Sequence, residues 1–132
     1  MLYENNLTKK KVPKVPFSDI ADFILGTDYE ASLNFIDNKE SHKINLAYRK
    51  IDKPTNILSF PLEKNLGEIF LNIEQVTEEY RAKSLEFFPK LEPTLYRYCA
   101  FLVIHGLLHL AGLDHGAKME SEEQRVLKHF GF

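Results

Sequence analysis

Hydrophobic and polar positions along this chain follow two periods, and the switches between them predict its elements. From Asp19 to Leu25 apolar residues recur at helical spacing, with Ser18 as the expected cap and Gly26 as the stop. Residues 31–37 alternate as a strand, and residues 39–49 return to helical spacing with Ile44, Ala47 and Tyr48 on one face. Residues 56–62 (NILSFPL) read as a strand that Pro61 bends or ends. Residues 68–73 (EIFLNI) read as another after a turn at Gly67, close enough to the previous strand for an antiparallel hairpin. An acidic-then-apolar helix is expected over 73–88, and Pro89 and Pro93 break the chain after it. The next helix, about 93–111, carries Pro93 in its first turn, where a missing N–H costs little. A last helix runs from Met119 or Glu120 to His129, its Glu120, Glu122 and Glu123 suited to the N-terminal dipole. This order predicts a small α+β single domain over residues 1–132, a mixed few-stranded sheet flanked by helices with the 93–111 helix central.

Composition narrows the class. With 132 residues, 44% of them hydrophobic and 12% aromatic, the chain can fill one core. The longest apolar run near the centre of the late helix, Cys99–Ile104, is far too short to span a bilayer. The N-terminus opens on polar residues and lysines instead of a secretion segment, and residues 1–15 are expected as a flexible basic segment. A single cysteine forms no intrachain disulfide, in keeping with a reducing compartment, and a cytoplasmic protein without a membrane span is expected. The net charge of −2 argues against indiscriminate attraction to nucleic acid. Any such binding must come from a local patch, and Lys9, Lys10, Lys11 and Lys14 form one cluster while Arg49, Lys50 and Lys53 form another, just before the 56–62 strand.

The chemistry concentrates in His105-Gly-Leu-Leu-His109-Leu-Ala-Gly112-Leu-Asp-His115, where three of the five histidines fall within one short run. On a helix, His105 and His109 lie one turn apart on the same face. Gly112 can adopt the left-handed conformation that ends a helix, and the reversed chain then carries His115 back toward the other two imidazoles. Three neutral imidazoles suit a tetrahedral zinc ion whose fourth position is open to water. Two core histidines buried side by side would each need partners for both ring nitrogens, which makes ligation the better account. Cys99 lies six residues before His105, about 240° round the helix, and is expected in the core. His42 and His129 fall outside the run and are expected as exposed polar residues.

The spacing HxxxHxxGxxH is that of the metzincin proteases, which have Glu directly after the first histidine as general base. Here Gly106 stands in that place, so a peptidase of that type lacks its proton acceptor. Metal-assisted hydrolysis of another bond remains open, as does a binding module in which zinc only braces the fold.

Together with Arg49 in INLAYR and the segment PTNILSFPLEKNLGEIFLNI, this motif resembles the YbeY family of bacterial metal-dependent endoribonucleases, from about Ser32 to Leu127. The resemblance implies a zincin-like fold, one zinc on His105, His109 and His115, and an arginine important for activity at Arg49. It also implies a single-strand-specific endoribonuclease that acts in small-subunit rRNA 3′-end maturation and ribosome quality control, with the small ribosomal subunit and assembly factors as partners. The chain departs from the commonest family pattern at Asn56, Glu68, Tyr98 and Leu113, none of them an expected ligand. Phosphodiester cleavage builds charge on phosphoryl oxygens, and the guanidinium fork of Arg49 matches it, unless Arg49 is instead a structural partner of a carboxylate. Asp114 could orient a ligand imidazole or serve as base, and Glu68 is a lesser candidate for the proton acceptor.

Overall fold

A computed structural model describes residues 1–87 and 94–132. In chain order these form β1 (Leu2–Asn6), α1 (Phe17–Leu25), β2 (Glu30–Ile36), α2 (Asn38–Arg49), β3 (Ile57–Glu63), β4 (Leu66–Asn72), α3 (Ile73–Phe87), α4 (Leu95–Leu110) and α5 (Ala117–Phe130). The strands make one mixed sheet in the order β1-β2-β4-β3, an α+β arrangement. β1 and β4 run parallel to β2, while β3 is antiparallel to β4 and forms one edge. Parallel neighbours need a crossover, and α1 supplies it between β1 and β2. The prolines expected to break the chain, Pro89 and Pro93, lie outside the described residues.

The late apolar run behaves as its pattern requires. A helix apolar on most sides must be surrounded, and α4 packs on β3 and β4 while meeting α1, α3 and α5. Ten of its residues are buried, among them Cys99, Val103, Ile104 and Leu107. Each large aliphatic side chain so buried contributes about 1.5–3 kcal/mol, so this helix anchors the core. Thr94 caps it, its hydroxyl oxygen accepting from the Arg97 N–H at 3.1 Å.

Several expectations are corrected. Residues 2–6, expected within a flexible basic segment, form the edge strand β1, tied to β2 from Leu2↔Ala31 to Asn6↔Phe35. Only Leu2 of this strand is buried, so the stretch has no alternation to read. Ser18 makes no cap; α1 begins at Phe17, directly after Pro16. Gly67 lies inside β4 and not in the hairpin turn, and a Cβ there would come within 2.8 Å of Leu110.

The face of α2 is also reversed from the expected one. The helix buries Ser41 and Asn45 and exposes Leu46, Ala47 and Tyr48. Its packing is polar because its neighbour is a loop with free backbone groups. Ser41 Oγ donates to the Thr55 carbonyl at 2.9 Å and accepts from the Thr55 N–H, and Asn45 Nδ2 donates to the Lys53 carbonyl at 2.8 Å. Buried backbone groups must find partners, and here side chains of α2 provide them. The loop after α2 is thereby held against the helix that ends at Arg49.

Candidate metal centre

The C-terminus of α4 builds the site. Gly112 has φ +94°, and the Gly112 N–H donates to the His109 carbonyl while the Leu113 N–H donates to that of Leu108. This is a Schellman closure, and the left-handed residue it needs is the glycine. The chain turns back at once. The rings of His105 and His109 have centroids 4.6 Å apart, and that of His115 lies 4.9 Å from each. One ligand nitrogen from each of the three lies within 4.8 Å of the others.

Hydrogen bonds fix which nitrogens face inward. His105 Nδ1 donates to Glu123 Oε1 at 2.6 Å, and His109 Nδ1 donates to the Leu113 carbonyl at 3.0 Å. A carboxylate and a carbonyl only accept, so in the neutral rings both Nε2 atoms carry lone pairs. Those two Nε2 atoms stand 3.1 Å apart. Facing lone pairs repel unless a cation lies between them. Tetrahedral ligands at about 2.0–2.1 Å from zinc would be roughly 3.3 Å from one another, so the spacing fits such an ion. Burial, then the neighbouring His105 and His115, lowers the pKa of His109 from its ordinary value, which favours the neutral form that binds metal. The triad can therefore hold a metal ion.

The histidines open into a cleft of about 720 Å³. Its walls include Arg49 from α2, Asn56, Ser59 and Pro61 from the β3 region, Asp114 from the turn, and Glu123 from α5. Ser59 Oγ donates to the Gly106 carbonyl at 2.8 Å, pinning the edge strand to α4 between the first two histidines. Gly106 permits that approach, since a Cβ there would sit 3.1 Å from Ile57 Cδ1 and 3.3 Å from Ile69 Cδ1. Farther along α4, Tyr98 OH and Asn56 Nδ2 both donate to Glu79 Oε1, at 2.9 and 3.0 Å.

The other candidate residues separate clearly. Arg49 and the histidines share the cleft although more than fifty positions of sequence lie between them. Asp114 is exposed on the cleft wall, while the inner rings are oriented by Glu123 and the Leu113 carbonyl instead. Glu68 is not at the site. Its neighbours Gly67 and Ile69 face α4, so strand alternation turns Glu68 to the opposite side. Cys99 is buried in the core. His42 pairs with Asp52 at 2.6 Å, and exposed His129 stacks on Phe23 at 4.1 Å. Glu123 is the residue that sequence reasoning assigned elsewhere, to the helix dipole. The available signal was its place on the apolar stripe Met119-Glu123-Val126-Leu127, where a lone carboxylate needs a buried partner.

Comparison with known proteins gives a consistent result. The family model described as "Endoribonuclease YbeY" matches residues 3–131. The chain is 37% identical over 109 residues to an endoribonuclease YbeY of Clostridioides difficile, covering 74% of this chain and 66% of that one. It is 36% identical over 116 residues to the protein of the same name from Colwellia psychrerythraea, covering 79% and 70%. It is 41% identical over 110 residues to that of a Thermoanaerobacter species, covering 74% and 66%. The chain thus spans just under two thirds of the first and third of these relatives. The solution structure of TM1509 from Thermotoga maritima superposes with a TM-score of 0.67 at 26% identity, covering 97% of this chain and 87% of that one.

Proposed function

Because this chain belongs to the YbeY endoribonuclease family, we propose that it is a metal-dependent endoribonuclease that cuts single-stranded RNA. The ion is zinc, one per chain, on His105, His109 and His115, and the biological substrate is the 3′ region of small-subunit rRNA, with the small ribosomal subunit and its assembly factors as partners. The observation that carries this reading is the placement of Arg49 on the wall of the same cleft that holds the three histidines.

Each residue then has a task. The bound zinc would acidify a coordinated water and polarise a phosphoryl oxygen. Arg49 presents a planar fork to the phosphate, whose charge grows as the bond breaks. Glu123 and the Leu113 carbonyl keep the lone pairs of His105 and His109 turned to the ion. In this reading Asp114, exposed on the same wall, accepts a proton from the attacking water, and its position in the cleft supports that role.

A bracing role for the ion is less well supported. Among the described residues the cluster has three protein ligand groups and opens to a cleft, whereas structural zinc sites are closed by four. A peptidase role lacks the carboxylate that Gly106 replaces. The deciding experiment incubates metal-replete and chelated protein with a single-stranded oligoribonucleotide and with casein, and determines the RNA product ends. Cleavage of RNA only, restored after chelation by zinc, is expected. Zinc-dependent digestion of casein with intact RNA would overturn the assignment.

A further inference from the structure

On the side of edge strand β3 turned away from α4, with Phe60 opposite Glu68, lies an aromatic patch that the chemistry above leaves unused. Tyr48 is 75% exposed, the most exposed large hydrophobic side chain among the described residues. Its ring centroid lies 5.6 Å from that of Phe60, and Phe60 lies 6.0 Å from Phe70. Both outer rings adjoin cleft residues directly in sequence: Tyr48 precedes Arg49, and Phe60 precedes Pro61. The end of α2 and the edge strand β3 thus bring two aromatics together on the outer side of β3, and Tyr48 stands one residue along the helix from the cleft residue Arg49.

Resting on the RNA reading above, we propose that Tyr48, backed by Phe60, is a stacking platform for an unpaired nucleobase whose neighbouring phosphate is held by Arg49. Exposing a large ring to water is unfavourable unless something covers it, and a base has a flat face that matches it. The chain Tyr48-Arg49-Lys50 sets one ring beside two exposed cations, as a nucleotide sets one base beside its phosphates. This charge complementarity favours a polyanion over an apolar protein surface or a second copy of this chain. The platform also accounts for preference for single strands, because a base paired within a duplex offers no free face.

The proposal is tested with Tyr48→Ala and Tyr48→Phe against one oligoribonucleotide and a series in which single positions flanking the cut bond are abasic. Removing the ring should raise KM roughly 5- to 150-fold, the range for loss of one stacked base, with kcat little changed. Tyr48→Phe, which keeps the ring, should restore most of the affinity. One abasic position should weaken wild type by a similar factor and add no further loss in Tyr48→Ala. Equal KM for Tyr48→Ala and wild type, or a ring effect that persists on every abasic substrate, would overturn the platform. A change of oligomeric state in Tyr48→Ala by light scattering would assign the patch to contact between copies and overturn it as well. Fluorescence anisotropy of the labelled oligonucleotide on chelated protein reads the platform without cleavage. If wild type binds RNA through Tyr48 but never cuts it, the catalytic reading falls and the platform stands.

Discussion

Glu123 Oε1 lies 2.6 Å from His105 Nδ1, and Glu123 is only 7% exposed. This bond joins α5 to the ligand face of α4. It holds the imidazole in the tautomer whose Nε2 faces the other histidines, and it places a negative charge behind a ring that could bind a cation.

Glu123→Ala should therefore weaken metal binding by roughly 10- to 100-fold, the usual range for loss of such an outer partner. Glu123→Gln should fall between, since its amide oxygen still accepts from Nδ1–H but carries no charge. Chelator-competition titration of the metal dissociation constant reads both variants. Unchanged affinity in Glu123→Ala, with the protein folded by circular dichroism, would reduce the bond to a packing contact.

Arg49 and His109 should fail in different ways. Arg49 is exposed at the end of α2, so Arg49→Ala should keep its metal and its melting temperature. Its RNA cleavage should drop by about 2.7–4 kcal/mol of transition-state stabilisation, as for comparable preorganised donors. Arg49→Lys should recover part of this, because a point charge does not reproduce the two-pronged fork. His109→Ala should instead lose metal, with a lower thermal midpoint in the presence of zinc, since the ion stabilises the state that holds it. Metal analysis, melting and cleavage on the same preparations separate the two. Full cleavage by Arg49→Ala would remove it from the chemistry.

Gly106 marks a packing limit. In Gly106→Ala the new methyl meets Ile57 and Ile69 side-chain ends at 3.1 and 3.3 Å, which can shift by a few tenths of an ångström. The gain in helix propensity, about 0.5–1 kcal/mol, offsets that strain, so a near-neutral change is expected. Gly106→Glu should destabilise by about 1–3 kcal/mol from overpacking, more if its carboxylate stays buried, and should yield no peptidase. Urea melts and a casein assay check both. A Gly106→Glu protein as stable as wild type would show that β3 yields easily to α4.

Burial pushes the Cys99 thiol up to about 12. In the unfolded chain a thiol ionises near pH 8.5. Below that value it is neutral in both states and its contribution to stability is complete. Between there and about 12 it ionises only when unfolded, so stability falls as pH rises. Urea unfolding at pH 8.5 and pH 10 should show a steeper decline for wild type than for Cys99→Ala. Matching declines would mean that the thiol reaches solvent. For the same reason the native thiol should resist aromatic disulfide reagents at pH 8 until the protein is denatured.

How much was legible in advance depended on how far apart in sequence the interacting groups lie. The hairpin of β3 and β4 was readable because its strands are separated by a short turn. The helix α4 was readable because its composition is apolar on most sides. The histidine cluster was readable for a similar reason: His105 and His109 are related by one helical turn and His115 by one glycine reversal, so local geometry alone brings them together.

Contacts across the fold were of a different kind. Polar β1 carries one buried residue, and only its pairing with β2 makes it a strand. The α2 face was misread because the surface it meets is a loop rich in free carbonyls, which selects Ser41 and Asn45 over aliphatic residues. Glu123 reaches His105 only because α5 packs back on α4, and Arg49 reaches the cleft only through the placement of α2 beside β3. The sequence by itself determined every element except β1, and the grouping of the three histidines, because backbone periodicity and a glycine turn act over a few residues. Tertiary structure decided which carboxylate orients the histidines and which guanidinium shares their cleft, because those distances are set by how separate elements pack.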